Sequence, residues 1–152
     1  ISDWCCGTGI STDEIYKNYK NAKITSVDSS KEMLDVAKKY TLSKSKFIID
    51  NVENVNLNVK QDLITIMFAF HEIPQYGRQK ILKNAYNSLK ENGKLLIVDI
   101  DLTYTPSKLM LSGEPYIKDY FKNVQNDIYK QFPNTSEEII IKNHVRKWYC
   151  TR

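Results

Sequence analysis

Residues 62–70, Asp-Leu-Ile-Thr-Ile-Met-Phe-Ala-Phe, form a nearly unbroken apolar run. A strand that faces water on one side alternates polar and apolar residues, whereas a continuous apolar run marks a strand buried on both faces. Sheets covered on both faces are parallel sheets flanked by helices. The rest of the chain supplies the parts that such a sheet needs. Short strands are expected at residues 1–6, 23–27, 46–49 and 94–100, the first and second ending at Cys6 and just before Asp28. Between them lie amphipathic stretches. Ser11 with Glu14 and Ser29 with Glu32 have the spacing of capping boxes, which would open helices carrying Ile15, Tyr16 and Tyr19 and then Met33, Leu34, Ala37 and Tyr40. A long helix is expected at about residues 76–90, stopped by Asn92-Gly93 through a left-handed glycine. Residues 107–132 read as helical with an interruption near Gly113 and Pro115. Residues 137–142 and 145–151 read as an antiparallel pair joined at Asn143-His144. This alternation predicts a doubly wound α/β fold: seven strands, mostly parallel, with an antiparallel C-terminal hairpin, in one domain over residues 1–152.

Composition narrows the functional classes. With 41% hydrophobic and 26% charged residues, the chain has the make-up of a globular domain rather than a disordered or fibrous one. The apolar run at 62–70 is far shorter than the roughly 20 residues that span a bilayer. A net charge of +4 with scattered lysines does not point to nucleic acid. The cysteines, Cys5, Cys6 and Cys150, form no disulfide framework and no Cys/His ligand spacing, so no metal is expected, and a reducing, cytoplasmic compartment is.

In doubly wound sheets ligands bind beyond the carboxyl ends of the strands, where strand order reverses. The first strand runs into Cys5-Cys6-Gly7-Thr8-Gly9, where glycines let backbone approach a ligand closely. Asp28 closes the second strand nineteen residues after Gly9, a placement suited to accepting hydrogen bonds from a ribose diol. Together they predict an adenosine-containing ligand. A dinucleotide is disfavoured because Thr12 stands where that fingerprint has its third glycine, and no Walker-type phosphate loop is present.

Asp3-Trp4-Cys5-Cys6-Gly7-Thr8-Gly9 resembles the D-x-G-C-G-T-G motif of class I S-adenosylmethionine-dependent methyltransferases. Further segments resemble that family in order along the chain: residues 27–34, 47–53, 62–74 (DLITIMFAFHEIP) and 81–99 (ILKNAYNSLKENGKLLIVD). The resemblance implies a Rossmann-like sheet, S-adenosylmethionine as cofactor, and a small-molecule acceptor of the methyl group. It implies that Asp3, Gly7 and Gly9 shape the pocket around the methionine and ribose parts, and that Asp28 holds the ribose hydroxyls. Met33 or Ser29 would border the adenine, Asn51 would accept from its amino group in place of the family's Asp, and Val52 would present its backbone N–H. Phe68 and Phe70 would end the fourth strand at the cofactor's edge or belong to the core. Cys5 departs from the family, which has glycine there; its side chain would crowd the cofactor or pack beneath the turn.

An imidazole suits proton transfer near neutral pH, so His71, just past the fourth strand, is the candidate catalytic residue, with Glu72 orienting it or capping the next helix. His144 is expected to be structural or exposed. Phe68-Ala69-Phe70-His71 replaces the tetrapeptide with which the family methylates nucleobase amines, which argues against a nucleic-acid acceptor. Tyr104, Tyr116 and Tyr120, with Met110, would line an acceptor pocket or form one face of a packed helix. The family usually carries helices before the first strand; here that strand is expected to be truncated and the cap helices lacking. A methyltransferase-like domain that binds the cofactor without turnover is the alternative to an active enzyme.

Overall fold

A computed structural model describes residues 1–152. Five strands alternate with helices: β1 (Ser2–Trp4), β2 (Thr25–Asp28), β3 (Lys46–Ile49), β4 (Gln61–Met67) and β5 (Leu89–Ile100), with α1 (Ile10–Asn18), α2 (Lys31–Tyr40) and α3 (Gln75–Ser88) between them. Then follow α4 (Lys108–Gly113), α5 (Ile117–Gln131) and a hairpin of β6 (Asn134–Ile141) and β7 (Val145–Thr151). The strands form one sheet in the order β3-β2-β1-β4-β5-β7-β6. The first five are parallel, whereas β7 runs antiparallel to both β5 and β6. This is the Rossmann-like arrangement expected from the sequence. Strand order reverses between β1 and β4. Because parallel crossovers are right-handed, the helices on the two sides of that reversal cover opposite faces.

The doubly buried character of residues 62–70 holds for residues 64–66: Ile64 and Ile66 on one face are fully buried, and Thr65 on the other is 1% exposed. The strand nevertheless stops at Met67, because Phe68 turns into a left-handed conformation (φ 52°) and Phe70–Glu72 form one 3₁₀ turn. Phe70 is thus a core residue at 0% exposure, while Phe68 is half exposed.

Three helix-end expectations are corrected. Ser11 does not cap α1: Gly9 is the N-cap, and the Ser11 hydroxyl donates instead to Asp3 Oδ2 at 2.7 Å. At α2 the capping serine is Ser30 rather than Ser29, accepting from the Met33 N–H at 3.2 Å. After α3 the left-handed residue is Asn92 (φ 61°), not Gly93. Gly93 is required by proximity: a Cβ there would stand 2.9 Å from the Lys90 carbonyl and 3.0 Å from that of Gln61. The break between α4 and α5 falls where Gly113 and Pro115 predict it.

Buried charges tie the second half together. The guanidinium of Arg78, on α3, is fully buried; it donates to the Ile73 carbonyl at 2.6 Å and to Asp119 on α5 at 2.7 Å. Asp127, one α5 turn pair further on, accepts from Gln75 and Gln79. Arg146 on β7 pairs with the buried Asp101 at 2.8 Å.

Candidate active site

Beyond the carboxyl ends of β1, β2, β3 and β4 lies a cleft of about 360 Å³, lined by residues that include Cys5, Asp28, Ser29, Asn51, Val52 and Glu72. Its position follows from the topology, since β1 and β4 diverge in their connections there and leave a crevice. Its volume lies within the range of small-molecule sites.

Asp28 organises the near wall. One carboxylate oxygen accepts from the Gly7 N–H at 2.8 Å and the other from the Ser30 N–H at 2.9 Å. Each oxygen keeps a further lone pair, so a diol can still be bound from the cleft side. Gly7 has φ +52° and open space where a Cβ would be. Cys5 has φ 57°, the left-handed region in which a side chain is strained, and this explains why the related motif has glycine there. Burial, with the charges of Asp28, Asp3 and Glu72 nearby, pushes the Cys5 thiol up to about 12. It is a neutral thiol near pH 7 and a poor nucleophile.

On the far wall, Asn51 Oδ1 accepts from the Glu53 N–H at 2.9 Å, which fixes the turn after β3. The Val52 N–H donates to no protein group, while its carbonyl accepts from Asn84 Nδ2 at 2.9 Å. Cys5, Asp28, Ser29, Asn51 and Val52 are therefore brought together as the resemblance implies, with Gly7 bonded to Asp28 beside them.

Four residues of the same set stand elsewhere. Asp3 is fully buried beneath the turn, where it accepts from Ser11, Thr12 and Thr65, each at 2.7 Å. Burial pushes its carboxyl above the usual range despite those three hydroxyls. Asp3 thus braces the β1–α1 turn from below. Gly9 (φ +84°) is held by packing: a Cβ would come within 2.4 Å of the Thr41 methyl and 3.2 Å of Ala37. Met33 and Phe68 are half exposed and do not line the cleft.

His71 is 8% exposed and sits beside the cleft. Its Nδ1 is 2.6 Å from Asp99 Oδ1. Asp99, fully buried on β5, also accepts from the Phe70 and Ile100 N–H groups, so it fixes the loop as well as the ring. Burial works against a charged imidazole, but the hydrogen bond and charge of Asp99, with Glu72 and Glu114 beyond, outweigh it and raise the pKa above its ordinary value. Tyr120 meets the His71 ring edge-on and donates its hydroxyl to the Ile100 carbonyl at 2.6 Å, so it belongs to the core. Tyr116 is partly exposed, and His144 lies exposed in the hairpin turn. Sequence reasoning missed Asp50 and Tyr76 as cleft-lining residues and Asp99 as the partner of His71. Asp50 adjoins Asn51 and Tyr76 follows Pro74, but Asp99 carries no signal, since it reaches His71 only through the β4–β5 pairing.

Residues 1–93 match the family described as methyltransferase domain. The chain belongs to that family. It is thus a member of the S-adenosylmethionine-dependent methyltransferases that its motifs resemble. Over 140 residues the chain is 31% identical to a malonyl-[acyl-carrier protein] O-methyltransferase of Ilyobacter polytropus, covering 89% of this chain and 51% of the relative. It is 29% identical over 154 residues to a tRNA N(3)-methylcytidine methyltransferase of Schizosaccharomyces pombe, covering 89% and 47%. The chain therefore spans about half the length of these curated relatives. Among solved structures, a plantazolicin methyltransferase in complex with a triazolic desmethylPZN analog and SAH superposes with a TM-score of 0.72 at 19% identity, covering 99% of this chain and 76% of the other. No helix is long and apolar enough to cross a membrane.

Proposed function

We propose that this chain binds S-adenosylmethionine in the cleft at the β1/β4 switch point and transfers its methyl group to a small-molecule acceptor. The observation that carries the reading is Asp28, anchored by two backbone N–H groups and open to the cleft on its remaining lone pairs. The residues present fit the cofactor. Asp28 would take the ribose hydroxyls, the unpartnered Val52 N–H and the Asn51 side chain would meet the adenine, and the open space at Gly7 would admit the ribose and methionine parts. Bound there, S-adenosylmethionine supplies a methyl carbon made electrophilic by its sulfonium.

The chain's own contribution is positioning. An in-line displacement forms the acceptor–carbon bond as the carbon–sulfur bond breaks and its electron pair returns to sulfur. Alignment and exclusion of water supply much of the rate. Asp99 holds the His71 ring oriented, so we assign His71 to the acceptor side of the cleft, where it helps to position the acceptor.

Glu72, on the acceptor side of the cleft, places a carboxylate there, which suits a small acceptor and opposes a polyanionic one such as tRNA. Three free cysteines suit a reducing, cytoplasmic setting. Cys5, strained at the cleft where the family has glycine, favours a second reading, cofactor binding without turnover.

Calorimetry with S-adenosylmethionine and S-adenosylhomocysteine tests what both readings share: saturable binding supports them, and its absence at millimolar ligand removes both. Release of S-adenosylhomocysteine across a panel of hydroxyl, carboxyl and amine acceptors supports the enzyme. Cofactor binding with no turnover on the whole panel supports the silent domain.

A further inference from the structure

We infer that His71, Glu72 and Glu114 form a binding site for one divalent first-row transition-metal ion on the acceptor side of the cleft. His71 and Glu72 come from the 3₁₀ turn after β4, and Glu114 caps the C-terminus of α4, forty-two residues after Glu72. One donor atom from each lies within 4.8 Å of the others.

His71 is the group that points to a ligand. Its Nδ1 is committed to Asp99 at 2.6 Å, and its Nε2 is left without a hydrogen-bond partner, the Glu72 carboxylate standing off at 3.7 Å. The side chain is nonetheless only 10% exposed. A buried imidazole whose one nitrogen is held by a carboxylate and whose other faces two carboxylates has the arrangement of a metal-ligating histidine. The outer carboxylate there sets tautomer and ring orientation. Asp99, itself fixed by two backbone N–H groups, is a rigid outer partner.

One imidazole nitrogen and two carboxylate oxygens suit zinc, cobalt, manganese or iron(II) better than magnesium or calcium, which take all-oxygen shells. The two carboxylates balance the ion's charge. At metal–donor distances of about 2.0–2.2 Å the donors must close in by roughly 1 Å. Glutamate torsions allow this, since Glu72 is exposed, Glu114 is partly exposed, and Glu114 has no competing side-chain hydrogen bond. Glu72 also lines the cleft, so an ion held here has an open side toward a bound acceptor. On the methyltransferase reading, that side would take an oxygen of the acceptor. No such site was expected from the sequence, because its ligands follow no local spacing and are assembled by the meeting of the β4–α3 and α4–α5 turns.

The test is titration of the intact chain with Zn²⁺ and with Co²⁺, followed by calorimetry and by the visible absorption of cobalt. The expected result is one equivalent per chain. Glu114→Gln should weaken binding about tenfold or more, and Asp99→Asn about 10- to 100-fold. Glu114→Gln removes no protein contact, so it reports on the site even if Asp99→Asn fails to fold. Absence of saturable binding overturns the inference, as does binding unchanged by Glu114→Gln. A sulfur-to-cobalt charge-transfer band overturns it too, because the ion would then sit on Cys5, Cys6 or Cys150. S-adenosylhomocysteine binding by the same sample keeps the two readings apart. Cofactor without metal removes only this site, and metal without cofactor removes only the methyltransferase reading.

Discussion

At the scale of single residues, two neighbours in the cleft wall play opposite parts. Asp28 ties the end of β2 to the glycine turn after β1 by accepting from Gly7, accepts locally from Ser30, and still faces the cleft. Hydrogen bonds to a charged group contribute about 1.5–3 kcal/mol. Asp28→Ala should therefore weaken S-adenosylhomocysteine binding by about one to two orders of magnitude in calorimetry. Unchanged affinity would show that the ribose is held elsewhere. Cys5 takes a left-handed conformation that costs a side-chain-bearing residue about 1–2 kcal/mol. Glycine relieves that strain but gives up packing against the core, so Cys5→Gly should leave stability within about 1 kcal/mol of the parent in urea melts. Cys5→Val should lose more, because a β-branched side chain tolerates positive φ least. Asp28 was legible from spacing alone. The strain at Cys5 was not, since only a mismatch with the family's glycine hinted at it.

At the scale of elements, the pattern of apolar residues located the main helices and strands, although β5 begins at Leu89 rather than residue 94 and β6 at Asn134 rather than residue 137, and hydroxyl groups near helix starts misled. Ser11 has a capping spacing, yet the helix starts earlier, with Gly9 as N-cap, and the Ser11 hydroxyl joins Thr12 and Thr65 in hydrogen bonding the buried Asp3 carboxyl. At the α3–α5 contact a buried group likewise gathers partners. Arg78 is wholly buried between Asp119 and Asp127, with the Asp127 Oδ2 left without a hydrogen-bond partner and 3.7 Å from the guanidinium. Arg78→Ala strands these acidic groups and the Ile73 carbonyl, and should cost about 3 kcal/mol or more in chemical denaturation. Combining Arg78→Met with Asp127→Leu should recover part of that loss, whereas a purely additive loss would deny the coupling. Position 78 lies on the same helical stripe as Ile81, Leu82 and Ala85, but a charged residue there reads as the solvated end of the stripe until its acidic partners on α5 are seen.

Across the whole molecule, ion pairs link the distant ends of the fold and set its response to acid. Burial opposes the charge of Asp101, but Thr103 and Arg146 outweigh it. Burial likewise opposes Asp119, but Arg78 and Asn123 outweigh that, so both carboxyls lie below their ordinary range. A carboxyl depressed in the native state stabilises it fully above the unfolded value of about 3.9 and loses that contribution as pH falls through the lower native value. Stability should therefore drop as the pH is taken below about 4, and Arg146→Met should flatten that dependence; an unchanged slope in urea melts at stepped pH would exclude this pair as its source. The same distinction separates what the chain's order determines from what folding decides. The alternation of apolar runs and amphipathic stretches, the glycine turn and the acid nineteen residues beyond it determined the sheet, its hairpin and one wall of the cleft, because those signals are local periodicities and short spacings. The pairing of His71 with Asp99, the meeting of Glu72 with Glu114 and the burial of Arg78 were decided only by the tertiary structure. Each joins residues 28 or more positions apart, and for His71 with Asp99 and for Arg78 the partners are chosen by the cost of leaving a charge buried alone, which no local pattern records.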